Sequence, residues 1–98
     1  MTINKEVNGS KLNIALVGRL DTTTSPELEK ELKASMDDIQ ELVFDLTQLE
    51  YISSAGLRVL LAAQKTMNRQ GSMIVCNVNE TVMEVFEVTG FKDILTIE

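Results

Sequence analysis

Apolar residues recur at alternate positions near the start of the chain: Ile3 and Val7, then Leu12, Ile14 and Leu16. Alternation puts side chains on opposite faces of an extended backbone and predicts two strands. Between them, Asn8-Gly9 is a favoured central pair for a two-residue hairpin turn, because both positions of that turn need φ > 0. The pattern then changes period. Leu28 and Leu32 share a helical face after Gly18-Arg19-Leu20-Asp21-Thr22-Thr23-Thr24-Ser25-Pro26, a polar loop. Ser25 is placed to cap that helix and Pro26 suits its first position, where a missing donor costs nothing. Glu27, Glu29 and Glu31 favour the dipole near the same end, and the helix should fade at Met36, before Asp37-Asp38.

Leu42-Val43-Phe44-Asp45-Leu46 is an apolar run broken by one acid, as expected of a central strand covered on both faces. A loop from Thr47 to Ser53 leads into a long helix over 54–69. Its Leu57, Leu60, Ala63 and Met67 lie on one side, flanked by Val59 and Leu61, with Arg58, Lys65 and Arg69 on the other side and Gly71 at its end. Met73–Cys76 predicts another buried strand. Asn79 caps a short helix carrying Val82, Val85, Phe86 and Thr89, which Gly90 terminates, and Ile94, Leu95 and Ile97 predict a last strand. The order is β-β-α-β-α-β-α-β: one α/β domain over residues 1–98, with a mixed, mostly parallel sheet, an N-terminal hairpin and crossover helices.

Composition narrows the chemistry. With 98 residues, 44% hydrophobic and 24% charged, the chain builds one core and no deep enclosed site besides. Its net charge of −6 argues against nucleic acid or a membrane surface as partner. No apolar run reaches membrane-spanning length and the opening residues lack a signal-peptide pattern, so the expected location is the cytoplasm. There is no histidine and one cysteine, Cys76, which reads as a small core residue. Histidine-based triads and thiolate zinc sites are therefore excluded, and no phosphate-loop or dinucleotide motif is present. No cofactor, metal or catalytic residue is expected, and the chain does not read as an enzyme.

What remains is the strand-to-helix segment Asp45-Leu46-Thr47-Gln48-Leu49-Glu50-Tyr51-Ile52-Ser53-Ser54-Ala55-Gly56-Leu57. On residue types alone, one serine caps the helix and Gly56 allows close packing. The segment also resembles the signature of the STAS domain family, specifically the bacterial anti-sigma factor antagonists: Asp-Leu-Ser/Thr, a spacer ending in an aromatic or apolar pair, then Asp/Ser-Ser-Ser/Ala/Thr-Gly-Leu. Gly18-Arg19-Leu20-Asp21 with Ser25-Pro26-Glu27-Leu28, and Thr89-Gly90-Phe91, match two further elements in order.

The resemblance implies partner switching. Ser54 aligns with the serine phosphorylated by an anti-sigma factor that is a serine kinase, Asp21 with an acid near that site, and Asp45 with the acid ending the central strand. The unphosphorylated form would bind the anti-sigma factor and free its sigma factor, phosphorylation would reverse this, and a phosphoserine phosphatase would reset it. Asp21, Ser53, Ser54, Gly56 and Arg58 are the expected partner-binding residues; Lys65 and Arg69 read as a solvated face. Two departures stand out: Ser53 replaces the usual Asp, and no last helix follows before Glu98. The alternative implied by the same family is an accessory subunit of a transporter or a signalling scaffold.

Overall fold

The structure, a computed structural model, describes all of residues 1–98. Strands β1 (Thr2–Asn8) and β2 (Lys11–Leu20) form the opening hairpin, followed by α1 (Ser25–Ser35), β3 (Glu41–Ile52), α2 (Ser54–Gln70), β4 (Ser72–Cys76) and α3 (Glu80–Thr89). The four strands lie in the order β1-β2-β3-β4; β1 is antiparallel to β2, while β2, β3 and β4 are parallel. The fold class read from the sequence is thus the one observed.

The hairpin turn sits one residue later than expected. Asn8 pairs with Lys11, leaving Gly9-Ser10 as the central residues, and only Gly9 has positive φ (61°). Glycine alone at the first central position is the type II′ arrangement, which matches strand twist as well as the type expected.

Because β2, β3 and β4 advance steadily across the sheet, right-handed crossovers must place α1 and α2 on the same face. Leu12, Ile14 and Leu16 of β2, and Leu42, Phe44 and Leu46 of β3, meet Leu28 and Leu32 of α1 and Leu57, Leu60, Ala63 and Met67 of α2 in one core. Val82 and Phe86 of α3 complete it. β3 is therefore covered on one face only, contrary to the two-sided burial expected from its apolar run: Val43 and Asp45 are half-buried on the other face. Cys76 stands beside Asp45 on that face, outside the core cluster. Burial, then the charges of Asp45 and Glu98, push its thiol pKa up, away from nucleophile chemistry.

β3 is also longer than expected. Its register against β2 slips twice, Ala15 and Val17 facing Asp45 and Gln48, then Gly18 and Arg19 facing Leu49 and Tyr51. Each slip inserts one residue in β3, so its core positions step from 42, 44 and 46 to 49 and 52. The expected loop from Thr47 is thus bulged strand.

The expected last strand shrinks to a single parallel bridge between Val75 and Ile97. Ahead of it Phe91–Asp93 form a 3₁₀ turn, and the Leu95 N–H donates to the Phe91 carbonyl at 2.9 Å. Phe91 and Leu95, four apart, suit a helical turn that seals the core better than an extended strand would.

Two polar residues are buried, Ser25 and Gln64, and only Gln64 leaves a side-chain atom unpaired. Gln64 of α2 is 6% exposed; its Nε2 donates to Asn68 Oδ1 at 2.8 Å, and its Oε1 has no partner. A buried, unpaired carbonyl costs about 1–3 kcal/mol. Gln64→Leu should therefore raise stability by about 1 kcal/mol, read as a thermal midpoint about 4–8 °C higher.

Candidate functional site

The end of β3 and the start of α2 are set by hydrogen bonding and by close packing. Tyr51 and Ile52 pair with Arg19 and Leu20, and the Ser53 N–H then donates to the Leu20 carbonyl at 2.9 Å. At Ser53 the chain turns from extended backbone (φ −99°, ψ 176°) into the helix. Its Oγ accepts from the Gly56 N–H at 3.5 Å, and its carbonyl accepts from the Leu57 N–H at 2.9 Å. Ser53 is therefore the capping serine. Ser54, the first residue of α2, is exposed, and its Oγ makes no hydrogen bond within the chain.

Gly56 permits a close approach. A Cβ there would lie 2.7 Å from Leu20 Cγ and 2.9 Å from Ile52 Cγ1. Its bare Cα lets the first turn of α2 sit directly on the ends of β2 and β3, which holds Ser53 and Ser54 beside the loop that follows Leu20.

That loop is organised by Asp21. Its Oδ1 accepts from the backbone N–H groups of Thr23 (3.0 Å) and Thr24 (3.1 Å), while its own N–H donates to Thr24 Oγ1 at 2.9 Å. These bonds, the Thr24 N–H foremost, hold the carboxyl below its ordinary pKa, with Arg19 adding to them. Ser25 does not cap α1 as expected. Thr24 is the cap residue and makes no side-chain cap bond, while Ser25, already helical, donates its hydroxyl to the Asp21 carbonyl at 2.5 Å. The loop supplies its own bonds, so the Ser25 side chain is spent fastening it from below.

Two residues not singled out from the sequence adjoin this cluster. Arg19 lies over the Tyr51 ring at 4.4 Å, and its Nε stands 3.9 Å from Asp21 Oδ2. Their pairing depends on the doubled register slip in β3. On the helix side, Arg58 folds back, its Nε donating to the Ser54 carbonyl at 3.4 Å. The structure thus gathers Asp21, Ser53, Ser54, Gly56 and Arg58 at one end of the sheet.

Asp45 does not join them. It pairs with Ala15 and Cys76 in mid-sheet, and β3 continues beyond it to Ile52, so it does not end the central strand as expected. Its Oδ1 accepts from Thr47 Oγ1 (2.5 Å), the Thr47 N–H (3.0 Å) and Asn77 Nδ2 (3.1 Å), tying the first bulge to the end of β4. These bonds, the Thr47 hydroxyl first, hold its carboxyl below the usual range. A depressed folded pKa stabilises fully above the unfolded value of about 4, and that stability is lost as pH falls through the folded pKa. Asp45→Asn should therefore lower the urea midpoint at pH 7 and flatten its fall below about pH 4.

No group of three or more His, Cys, Asp or Glu side chains converges to hold a metal ion, and no helix is long and apolar enough to cross a membrane. The STAS domain model matches residues 2–98. The chain belongs to the STAS domain family. Over 84 residues it is 40% identical to BtrV, a candidate anti-sigma factor antagonist of Bordetella bronchiseptica, spanning 84% of this chain and 72% of that one. It is 30% identical to the anti-sigma-B factor antagonist of Bacillus subtilis over 100 residues, covering 99% of this chain and 92% of the other. An anti-sigma factor antagonist from Mycobacterium paratuberculosis has the same fold, with a TM-score of 0.88 at 24% identity over 98% of this chain and 83% of its own. In this STAS chain the serine pair lies on the bulged β3–α2 junction, at the rim of the one-sided sheet.

Proposed function

We propose that this STAS domain is an anti-sigma factor antagonist switched by phosphorylation of Ser54. The observation that carries the reading is the division of labour between the two serines. Ser53 is committed to capping α2, whereas Ser54 Oγ is exposed and unbonded on a rigid helix start. A kinase needs a reachable hydroxyl, and here modification breaks no internal bond. Membership of the family and the antagonist names of the two sequence relatives supply the class of partner.

The unmodified Ser54 side chain is small and neutral, and a partner can cover it. A phosphate adds about −1.5 to −2 charges. Within the chain that charge is tolerated, because the first N–H groups of α2 and the helix dipole favour an anion. Across an interface it must be desolvated next to Asp21, which its loop bonds keep ionised. The partner is an anti-sigma factor that is itself a serine kinase, with a phosphoserine phosphatase to restore the capturing form. This assignment puts the chain in the cytoplasm, where ATP and sigma factors are found.

The test is displacement. Unphosphorylated protein, added to a purified complex of the source organism's anti-sigma and sigma factors, should release free sigma factor on a sizing column. Retention of the intact complex at excess antagonist would refute the assignment.

A further inference from the structure

Arg58 stands four residues after Ser54, on the same face of α2. Side chains on a helix lean toward its N-terminus, so that of Arg58 lies over the turn that begins at Ser54. The structure shows it folded there: Nε donates to the Ser54 carbonyl at 3.4 Å. That long bond is the one hydrogen bond the guanidinium makes within the chain, and its Nη donors are unused. Nor does Arg58 have a counterion. Arg19 stands 3.9 Å from Asp21 and Lys33 holds Glu29 at 3.2 Å, whereas no carboxylate pairs with Arg58, although the chain has a net charge of −6. Beneath it, the N–H groups of Ser54 and Ala55 donate to nothing in the chain; the Ser53 cap engages only those of Gly56 and Leu57. A free cation and an unbonded hydroxyl, one helical turn apart, thus share one exposed face.

We infer that Arg58 is the counterion of a phosphate on Ser54, its guanidinium fastening the modified side chain onto the first turn of α2. This deepens the switch and rests on the reading that Ser54 is the modified serine. The planar fork of an arginine matches phosphate oxygens two at a time, which a lysine ammonium cannot do. The order is the favourable one, with the anion at the helix start and the cation a turn later. Competition for Arg58 is weak. Glu29 shares a shallow hollow with it but is held by Lys33, Asp21 is bonded by Thr23 and Thr24, and α2 carries no acid. On modification Arg58 therefore turns from a carbonyl to the phosphate without breaking an ion pair. One guanidinium offsets only part of about −1.5 to −2 charges, so the phosphate still opposes a partner, now in a fixed pose. Arg58 is a positioning residue.

The test uses the full chain with phosphoserine installed at position 54 during synthesis, so that no kinase is needed, and follows the phosphate by phosphorus NMR through a pH titration. Its second ionisation should come about half a pH unit lower in wild type than in Arg58→Ala, with Arg58→Lys in between. Added salt should narrow the difference. Arg58 is exposed, so unmodified Arg58→Ala should melt within a few degrees of wild type, which shows that the variant folds. Phosphorylation should raise the thermal midpoint more in wild type than in Arg58→Ala. Superimposable titration curves for wild type and Arg58→Ala would overturn the inference, as would an ionisation that is lower in the variant. The two claims fail separately. Superimposable curves would remove Arg58 and leave the Ser54 switch, whereas a shifted curve in a chain that the anti-sigma factor kinase never modifies would keep the contact and remove the switch.

Discussion

Ser54→Asp weakens capture of the anti-sigma factor about a hundredfold, an effect of about 3 kcal/mol. The substitution puts a fixed carboxylate where the structure has an exposed, unbonded hydroxyl, at the first residue of α2. The fold accepts it, because an acid in the first turn suits the helix dipole and the Ser53 cap is untouched. The interface does not: the new charge must be buried close to Asp21, whose Oδ1 is already occupied by Thr23 and Thr24 and cannot turn away. Ser54→Ala, by contrast, keeps a small neutral surface and captures the partner like wild type. Calorimetric titration of each variant against the anti-sigma factor, with thermal midpoints measured in parallel, checks both halves. Equal affinities for Ser54→Asp and wild type would mean that charge at this position does not govern binding.

Gly71→Ala gives the largest loss of stability expected of any single methyl group in this chain, about 3 kcal/mol. Gly71 ends α2 and turns directly into β4. A Cβ there would collide with the Gln40 carbonyl oxygen and lie 2.6 Å from its carbon. The obstacle is backbone, and it is fixed from several sides. The Gln40 carbonyl accepts from the Ser72 N–H at 2.9 Å, and the Gln40 N–H donates to the Ser10 carbonyl at 2.8 Å. Relief requires moving the start of β3 away from β4, which breaks ladder bonds. For a chain of this size the thermal midpoint should drop by about 12–24 °C. A midpoint within a few degrees of wild type would show that the α2–β4 turn yields more easily than its contacts imply. Gly56 differs, because its obstacles are the Leu20 and Ile52 side chains, which repack at smaller cost.

How much of this was legible beforehand depended on whether local pattern carried the information. Helix limits were readable where caps and periodicity agree: α2 from Ser54, and α3 between Asn79, whose side chain accepts from the Val82 N–H at 2.8 Å, and the left-handed Gly90. The second half of β3 was not, because two inserted residues break the alternation that marks a strand, giving core positions at 46, 49 and 52. The open sheet face was hidden for a related reason. Val43, Ile74 and Cys76 are apolar yet only half-buried, so the strands look covered on both sides when read singly.

At the site, the STAS-like motif and the helix start located Ser53 and Ser54, but composition could not say which one caps. Backbone geometry assigns that role to Ser53. Arg19 against Tyr51 could not be read from spacing, since their pairing follows from the register slips. The basic flank of α2 was visible as a charge stripe.

The most direct test of the switch is to incubate the purified chain with the anti-sigma factor kinase and ATP, then map modification by intact-mass and peptide mass spectrometry. One phosphate, located on Ser54 and absent from Ser54→Ala, is the predicted result. Phosphate on Ser53, or none while the kinase modifies a control substrate, would contradict it.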